Sequence, residues 1–237
     1  MVKILEEVKI SIKEDYLLHY INVYGENTHD YISKNEYFFK KGKIYGIICE
    51  QGAGGEGISH ILTDKTCDKS VKIFMDGIET NNISEVSWYV GKNVKSGKII
   101  RKELSVKDAL ELAVKKKVRY EDIETIIEEF HLSRHRIDYS LSTIDPWEKW
   151  RASIAIGYAS GKQIFCFPWM DSLYFFDCMF NSSVFRFFKK ITQDGGIIIL
   201  PTSRDQNVQG LADEIKKIQC PRFEHCISDT EYFKKYF

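Results

Sequence analysis

Apolar and polar positions along the chain change period several times, and each change marks an element. Residues 3–12 (KILEEVKISI) mix alternation with apolar runs and predict an N-terminal strand. Tyr16–Tyr24 (YLLHYINVY), rich in aromatic and β-branched residues, predicts a second. Residues 27–35 are polar and read as a turn or short loop. Glu36–Phe39 then leads through Lys40-Lys41-Gly42-Lys43 into an apolar strand, Ile44–Cys49. A glycine-rich turn follows, with Gly52, Gly54, Gly55 and Gly57, and Gly57–Leu62 opens a helix. Lys72–Met75 before Asp76-Gly77 reads as strand and turn, and Val86–Val90 as another short strand. Apolar residues recur at helical spacing in Val106–Val114, Ile123–Phe130 and Trp150–Ala159. Gln163–Phe167 and Ile197–Leu200 are continuous apolar runs of the kind buried in a parallel sheet. Phe175–Gln193 contains a helical, aromatic segment, and Val208–Ile218 reads as an amphipathic helix. The expected fold is α/β, with an antiparallel β-region near the N-terminus, a core at 1–92 and 160–237, and a helical insertion at 93–159.

Composition narrows the class without naming it. The chain has 237 residues, 43% of them hydrophobic and 29% charged, which suits one globular core with an inserted subdomain. Its formal net charge is zero, so nothing argues for nucleic acid or an anionic membrane surface as partner. No run approaches the ~18 apolar residues of a membrane span. The N-terminus carries acids early and has no apolar core of a secretory signal. The six cysteines (49, 67, 166, 178, 220 and 226) have no C-x-x-C spacing and are expected as buried free thiols, placing the protein inside the cell.

The chemistry concentrates in Lys43–Leu62, KIYGIICEQGAGGEGISHIL. A strand that feeds a glycine loop opening a helix converges backbone N–H groups and the positive end of the helix dipole on one anion. The strict phosphate-loop pattern is broken, however. Gly55 stands where its lysine belongs, and Glu56 and Gly57 where its hydroxyl residues belong.

From here the order of parts resembles the ATP-binding subunit of an ABC transporter over nearly the whole chain. The strand, glycine loop and helix resemble the family's Walker A element. Phe74-Met75-Asp76-Gly77 resembles its strand with an Asp-Gly turn, and Trp88–Lys92 its glutamine-loop strand. Glu103–Ala113 resembles the opening of the helical domain, Glu148–Ile156 the helix after the signature motif, Gln163–Trp169 the Walker B strand, and Gly196–Ser203 the strand to the switch histidine. The resemblance implies a P-loop NTPase core, docked on a transmembrane permease subunit at the cytoplasmic face of the membrane. It also implies pairing with a second ATP-binding subunit across two shared nucleotide sites.

The departures form a pattern of their own. Lys92 stands for the glutamine, Ile144-Asp145-Pro146-Trp147 for the signature (Leu141-Ser142 fits its first half only with an insertion), Pro168-Trp169 for the Walker B carboxylates, and Ser203 for the histidine. Arg151 and Asp213 match family positions that do not carry the hydrolysis. Phosphoryl transfer needs charge neutralisation and an oriented water, and these groups are missing at their expected places. Glu56 would set a carboxylate near the phosphates. Two unit charges ~4 Å apart interact by roughly 4 kcal/mol at an effective dielectric of about 20, several powers of ten at ~1.4 kcal/mol per tenfold. Glu56 itself is therefore expected in the anion site. Gly52, Ala53, Gly54, Gly55, Glu56 and Gly57 form a degenerate nucleotide cradle, with Tyr24 placed to stack on an adenine or simply to pack in its strand. The expectation is weak ATP binding at most, without magnesium, in a structural or regulatory subunit of a heteromeric transporter. An active ATPase with unorthodox residues and a soluble regulatory protein without a permease are the alternatives.

Several other features have a plain reading beside a functional one. Asp171 reads as a turn residue or a displaced Walker B carboxylate, and His131 and His135 as a solvated face or two metal ligands. Lys115-Lys116-Lys117 with Arg119 reads as a solvated helix end or a partner patch. Phe165, Phe167, Trp169, Tyr174, Phe175 and Phe176 read as core, with Trp169-Met170 as a further candidate for a subunit contact.

Overall fold

The longest apolar runs become the centre of the molecule. In a computed structural model, which describes residues 4–64, 69–96 and 102–219, a five-stranded parallel sheet runs in the order Glu214–Lys217, Ile44–Ile48, Ile197–Thr202, Ile164–Cys166, Ser87–Tyr89. Every neighbouring pair is parallel, with Phe165 opposite Ile198 and Trp88, and Leu200 opposite Gly46. Residues of the three central strands are almost all buried, as expected for strands covered on both faces. A second, antiparallel sheet pairs Asn35–Lys40, Glu7–Ile12, Val71–Met75 and Ile78–Glu79 in that order. Its strand Glu7–Ile12 strictly alternates, with Val8, Ile10 and Ile12 buried.

Two expectations need correction. Residues 27–35 do not form a loop: Asn27–Ile32 is a strand, paired antiparallel with Tyr16–Ile21 from Tyr16↔Ile32 to Ile21↔Asn27. The ladder needs backbone groups rather than apolar side chains, and Asp30 and Ile32 point inward while their polar neighbours do not. Asn22 closes the turn, its Oδ1 accepting from the N–H groups of Tyr24 (2.9 Å) and Glu26 (3.0 Å). Nor is 208–218 one helix. The helical piece is Asp205–Val208, and Glu214–Lys217 is an edge strand whose side chains alternate between half-buried and exposed. An edge strand with one wet face carries the same mixture of apolar and charged residues as an amphipathic helix.

Three helices cover the central part of the chain, and each begins on a capping side chain. Ser105 accepts from Asp108 N–H before Val106–Lys115, Asp122 from Thr125 N–H before Ile123–Glu129, and Asp145 from Trp147 N–H before Pro146–Ala159. The last helix is buried almost all round and lies against the Ser87–Tyr89 strand. Ser153 Oγ accepts from both Trp88 Nε1 (3.1 Å) and Gly91 N–H (2.7 Å). Gly157 allows this close approach, because a Cβ there would lie 2.6 Å from the Trp88 ring. Cys49, Cys166 and Cys178 are buried free thiols, and the other three cysteines lie outside the described residues. Among the described residues no helix is long and apolar enough to cross a membrane.

Gly157→Ala overfills this contact. Chemical denaturation should report a loss of about 1–3 kcal/mol, and an unchanged stability would show that the helix is not seated on Trp88.

Candidate functional site

The strand Ile44–Ile48 delivers the glycine turn to the helix Gly55–Thr63 at the carboxyl edge of the parallel sheet. Gly54, at φ +106°, is the residue before the helix and offers it no side-chain cap. A helix N-terminus leaves backbone N–H groups without partners, and here the partner comes from another element. Asp30, only 2% exposed, accepts from Gly57 N–H through Oδ2 at 2.7 Å. Tyr20 OH donates to Oδ1 at 3.0 Å. Burial pushes the Cys49 thiol, packed beside Gly55, up to about 12. Ala53 N–H donates to Glu50 O, and Tyr31 N–H to Gly52 O at 2.8 Å. The hairpin Tyr16–Ile32 thus lies across the loop.

Asp30, not Glu56, is the anion in the cradle. Glu56 turns under the loop instead, its Oε1 accepting from Tyr89 OH at 2.6 Å and its Oε2 facing Trp169 N–H at 3.4 Å. A carboxylate in the first turn of the helix is held equally well there by the dipole. Between the two acids stands His60, stacked on Tyr20 with ring centroids 4.1 Å apart and tilted against Tyr89 at 4.6 Å. Its Nδ1 meets Asp64 Oδ2 at 2.9 Å, while its buried Nε2 has no hydrogen-bond partner and lies 3.9 Å from Glu56. Lys92 Nζ binds the other oxygen of Asp64 at 2.7 Å. Burial alone would raise Asp64, but the hydrogen bonds from His60 and Lys92 outweigh it and bring the group down to about 2. Burial pushes both Asp30 and Glu56 above the ordinary carboxylate range, against the hydrogen bonds that hold them.

The remaining candidates fall into place around this layer. Trp169, expected as a candidate subunit contact, is folded inward, its Nε1 donating to Cys49 O at 3.0 Å, and Met170 is fully buried. Asp171 caps the helix Ser172–Phe176 by accepting from Tyr174 N–H at 2.8 Å, so its carboxylate is committed away from the loop. Tyr24 sits in the hairpin turn, 61% exposed, with the Lys149 ammonium 5.6 Å from its ring centroid and Tyr174 beside it at 6.3 Å. Ser203 donates its N–H to Met170 O at the end of the Ile197–Thr202 strand. Ser142 binds Glu103, and Asp145 with Pro146 starts a helix, so the segment in place of the signature serves local structure. His131 and His135 lie in a turn region rather than on one helix. Among the described residues no cluster of His, Cys, Asp or Glu could hold a metal ion.

The residues present do not fit a nucleotide with magnesium. The Gly57 N–H already has its partner in Asp30. A side chain at position 55 has no room, since its Cβ would lie 2.4 Å from Cys49 Sγ and 3.2 Å from Pro201 Cβ. Residues that sequence reasoning overlooked carry the arrangement: Asp30, Tyr20, His60 and Tyr89. Asp30 is 27 positions from Gly57, and the one signal for it was an acidic residue next to aromatic ones in a polar stretch.

A pH prediction follows from the buried acids. A folded value above the ordinary 4.5 of a glutamate means that the folded chain holds a proton the unfolded chain releases. That stability is complete below 4.5 and is lost as pH rises through the folded value. Glu56→Gln mimics the protonated form, so its melting temperature should gain on the wild type between about pH 5 and about pH 8. A gap that shrinks over that range would show Glu56 stabilised in its charged form.

No protein-family model matches the sequence, and no curated protein matches it. Solved structures do. The chain is similar to cbiO1 from Clostridium perfringens, part of the ABC transporter complex cbiONQ, at 16% identity and a TM-score of 0.63, over 90% of this chain and 85% of that one. It is equally similar, with a TM-score of 0.63, to an ATP-binding cassette solved as a dimer in a post-hydrolysis state with ADP and Pi, at 16% identity over 90% of this chain and 94% of that one. An ATP-binding subunit of an ABC transporter matches at 12% identity and a TM-score of 0.63, over 90% of this chain and 86% of that one. The chain therefore has the fold of ABC transporter ATP-binding subunits, a parallel-sheet α/β core with antiparallel N-terminal strands.

Proposed function

We propose that this chain is an ATP-binding-type subunit of an ABC transporter that has lost hydrolysis and serves as a structural or regulatory member of a heteromeric assembly. Its partners are a transmembrane permease, at the cytoplasmic face of the membrane, and a second, competent ATP-binding subunit. The likeness in fold to cbiO1, a component of a transporter complex, and to a dimeric cassette supports both partners. Within this reading the core is 1–92 with 160–237 and the helical insertion is 93–159.

The observation that carries the loss of hydrolysis is Trp169. Phosphoryl transfer needs metal-holding and water-orienting groups where the phosphates end. The strand Ile164–Cys166 instead runs into Pro168-Trp169, whose indole closes under the loop onto Cys49 O while its N–H faces Glu56. A layer of tryptophan, tyrosine and glutamate stands at the end of that strand, where such groups would be needed. Weak nucleotide association remains compatible with this reading, but turnover does not.

The test is magnesium-dependent ATP turnover by the purified chain. Phosphate release should equal the protein-free background. Gly55→Lys with Glu56→Ser, which restores the lysine and a hydroxyl, should not raise it, because position 55 has no room. Turnover above background by the wild-type chain would overturn the reading.

A further inference from the structure

We propose that the hairpin Tyr16–Ile32 is a built-in occupant of the glycine-loop cradle, with the Asp30 carboxylate standing where a phosphate oxyanion would bind. This deepens the proposed function and rests on it for the nature of the cradle. The hairpin is fastened at three points along the loop. Asp30 accepts from Gly57 N–H, and Tyr31 N–H donates to Gly52 O at 2.8 Å. Ile32 packs so closely on the helix start that a Cβ at Gly57 would lie 2.3 Å from its Cδ1. Tyr20 adds a fourth hold, binding Asp30 through its hydroxyl and stacking its ring on His60. At the turn of the hairpin, Lys149 stands over the Tyr24 ring and donates to Val23 O.

The chemistry of this occupant is that of the ligand it displaces. Backbone N–H groups at a helix N-terminus donate to an anion that reaches them. A carboxylate delivered by the same chain is present at an effective concentration no free phosphate matches. Two anions at hydrogen-bond distance repel, so carboxylate and phosphate exclude one another. The cradle is accordingly a concealed phosphate site, and Asp30 is what conceals it.

The experiment is calorimetric titration of the full chain with magnesium-free pyrophosphate at neutral pH, comparing wild type with Asp30→Ala. The wild type should show no binding at millimolar pyrophosphate, and the variant should bind at least about tenfold more tightly than that limit. Equal binding by both chains, or a folded variant that binds none, would overturn the proposal. Should the variant fail to fold, the Gly54 and Gly57 amide resonances of the wild type decide the matter. Unmoved resonances at millimolar pyrophosphate support the occupant, and shifted ones refute it. Wild-type binding of pyrophosphate without ATP turnover would remove the occupant and leave the loss of hydrolysis standing, whereas turnover would remove the latter.

Discussion

The loop end of this molecule depends on one carboxylate. The helix Gly55–Thr63 begins on Gly54, which offers no capping side chain. An unpartnered buried N–H costs about 1–3 kcal/mol, and a hydrogen bond to a charged group contributes about 1.5–3 kcal/mol. Asp30 meets that need from a strand 27 residues away, and in doing so fixes the hairpin across the loop. That contact, with Tyr31 N–H on Gly52 O, ties the hairpin to the loop.

Beneath it, the space that phosphoryl chemistry would require is filled by a layer of side chains that answer one another. Tyr20 holds Asp30, His60 stacks between Tyr20 and Tyr89, Tyr89 holds Glu56, and Trp169 closes the floor. Two buried acids with raised proton affinity flank one histidine, whose Nε2 is left without a hydrogen bond. Such a layer is rigid when every other group is satisfied. It packs directly beneath the glycine loop.

Much of the fold was legible because burial on both faces leaves an unmistakable trace. The runs at Gln163–Phe167 and Ile197–Leu200 read as covered strands, and apolar residues at helical spacing marked the helices that begin after Ser105, Asp122 and Asp145. The misreadings came where one face is wet. Asn27–Ile32 looked like a loop because its outward residues are polar, and Glu214–Lys217 looked helical because an edge strand mixes charge with apolar residues. The glycine cradle was legible as a shape, from Gly52 to Gly57. Its occupant was not: sequence placed Glu56 there because it is adjacent, whereas the chain reaches the site with Asp30 through tertiary pairing that no local pattern encodes.

Amide hydrogen exchange at Gly57 tests the central claim most directly, measured on the full chain without any ligand and again with ATP and magnesium. The account predicts slow exchange in the ligand-free chain, because Asp30 already holds that N–H, and no change on adding nucleotide. Fast exchange that slows only when nucleotide is added would show an open cradle, and would contradict the account.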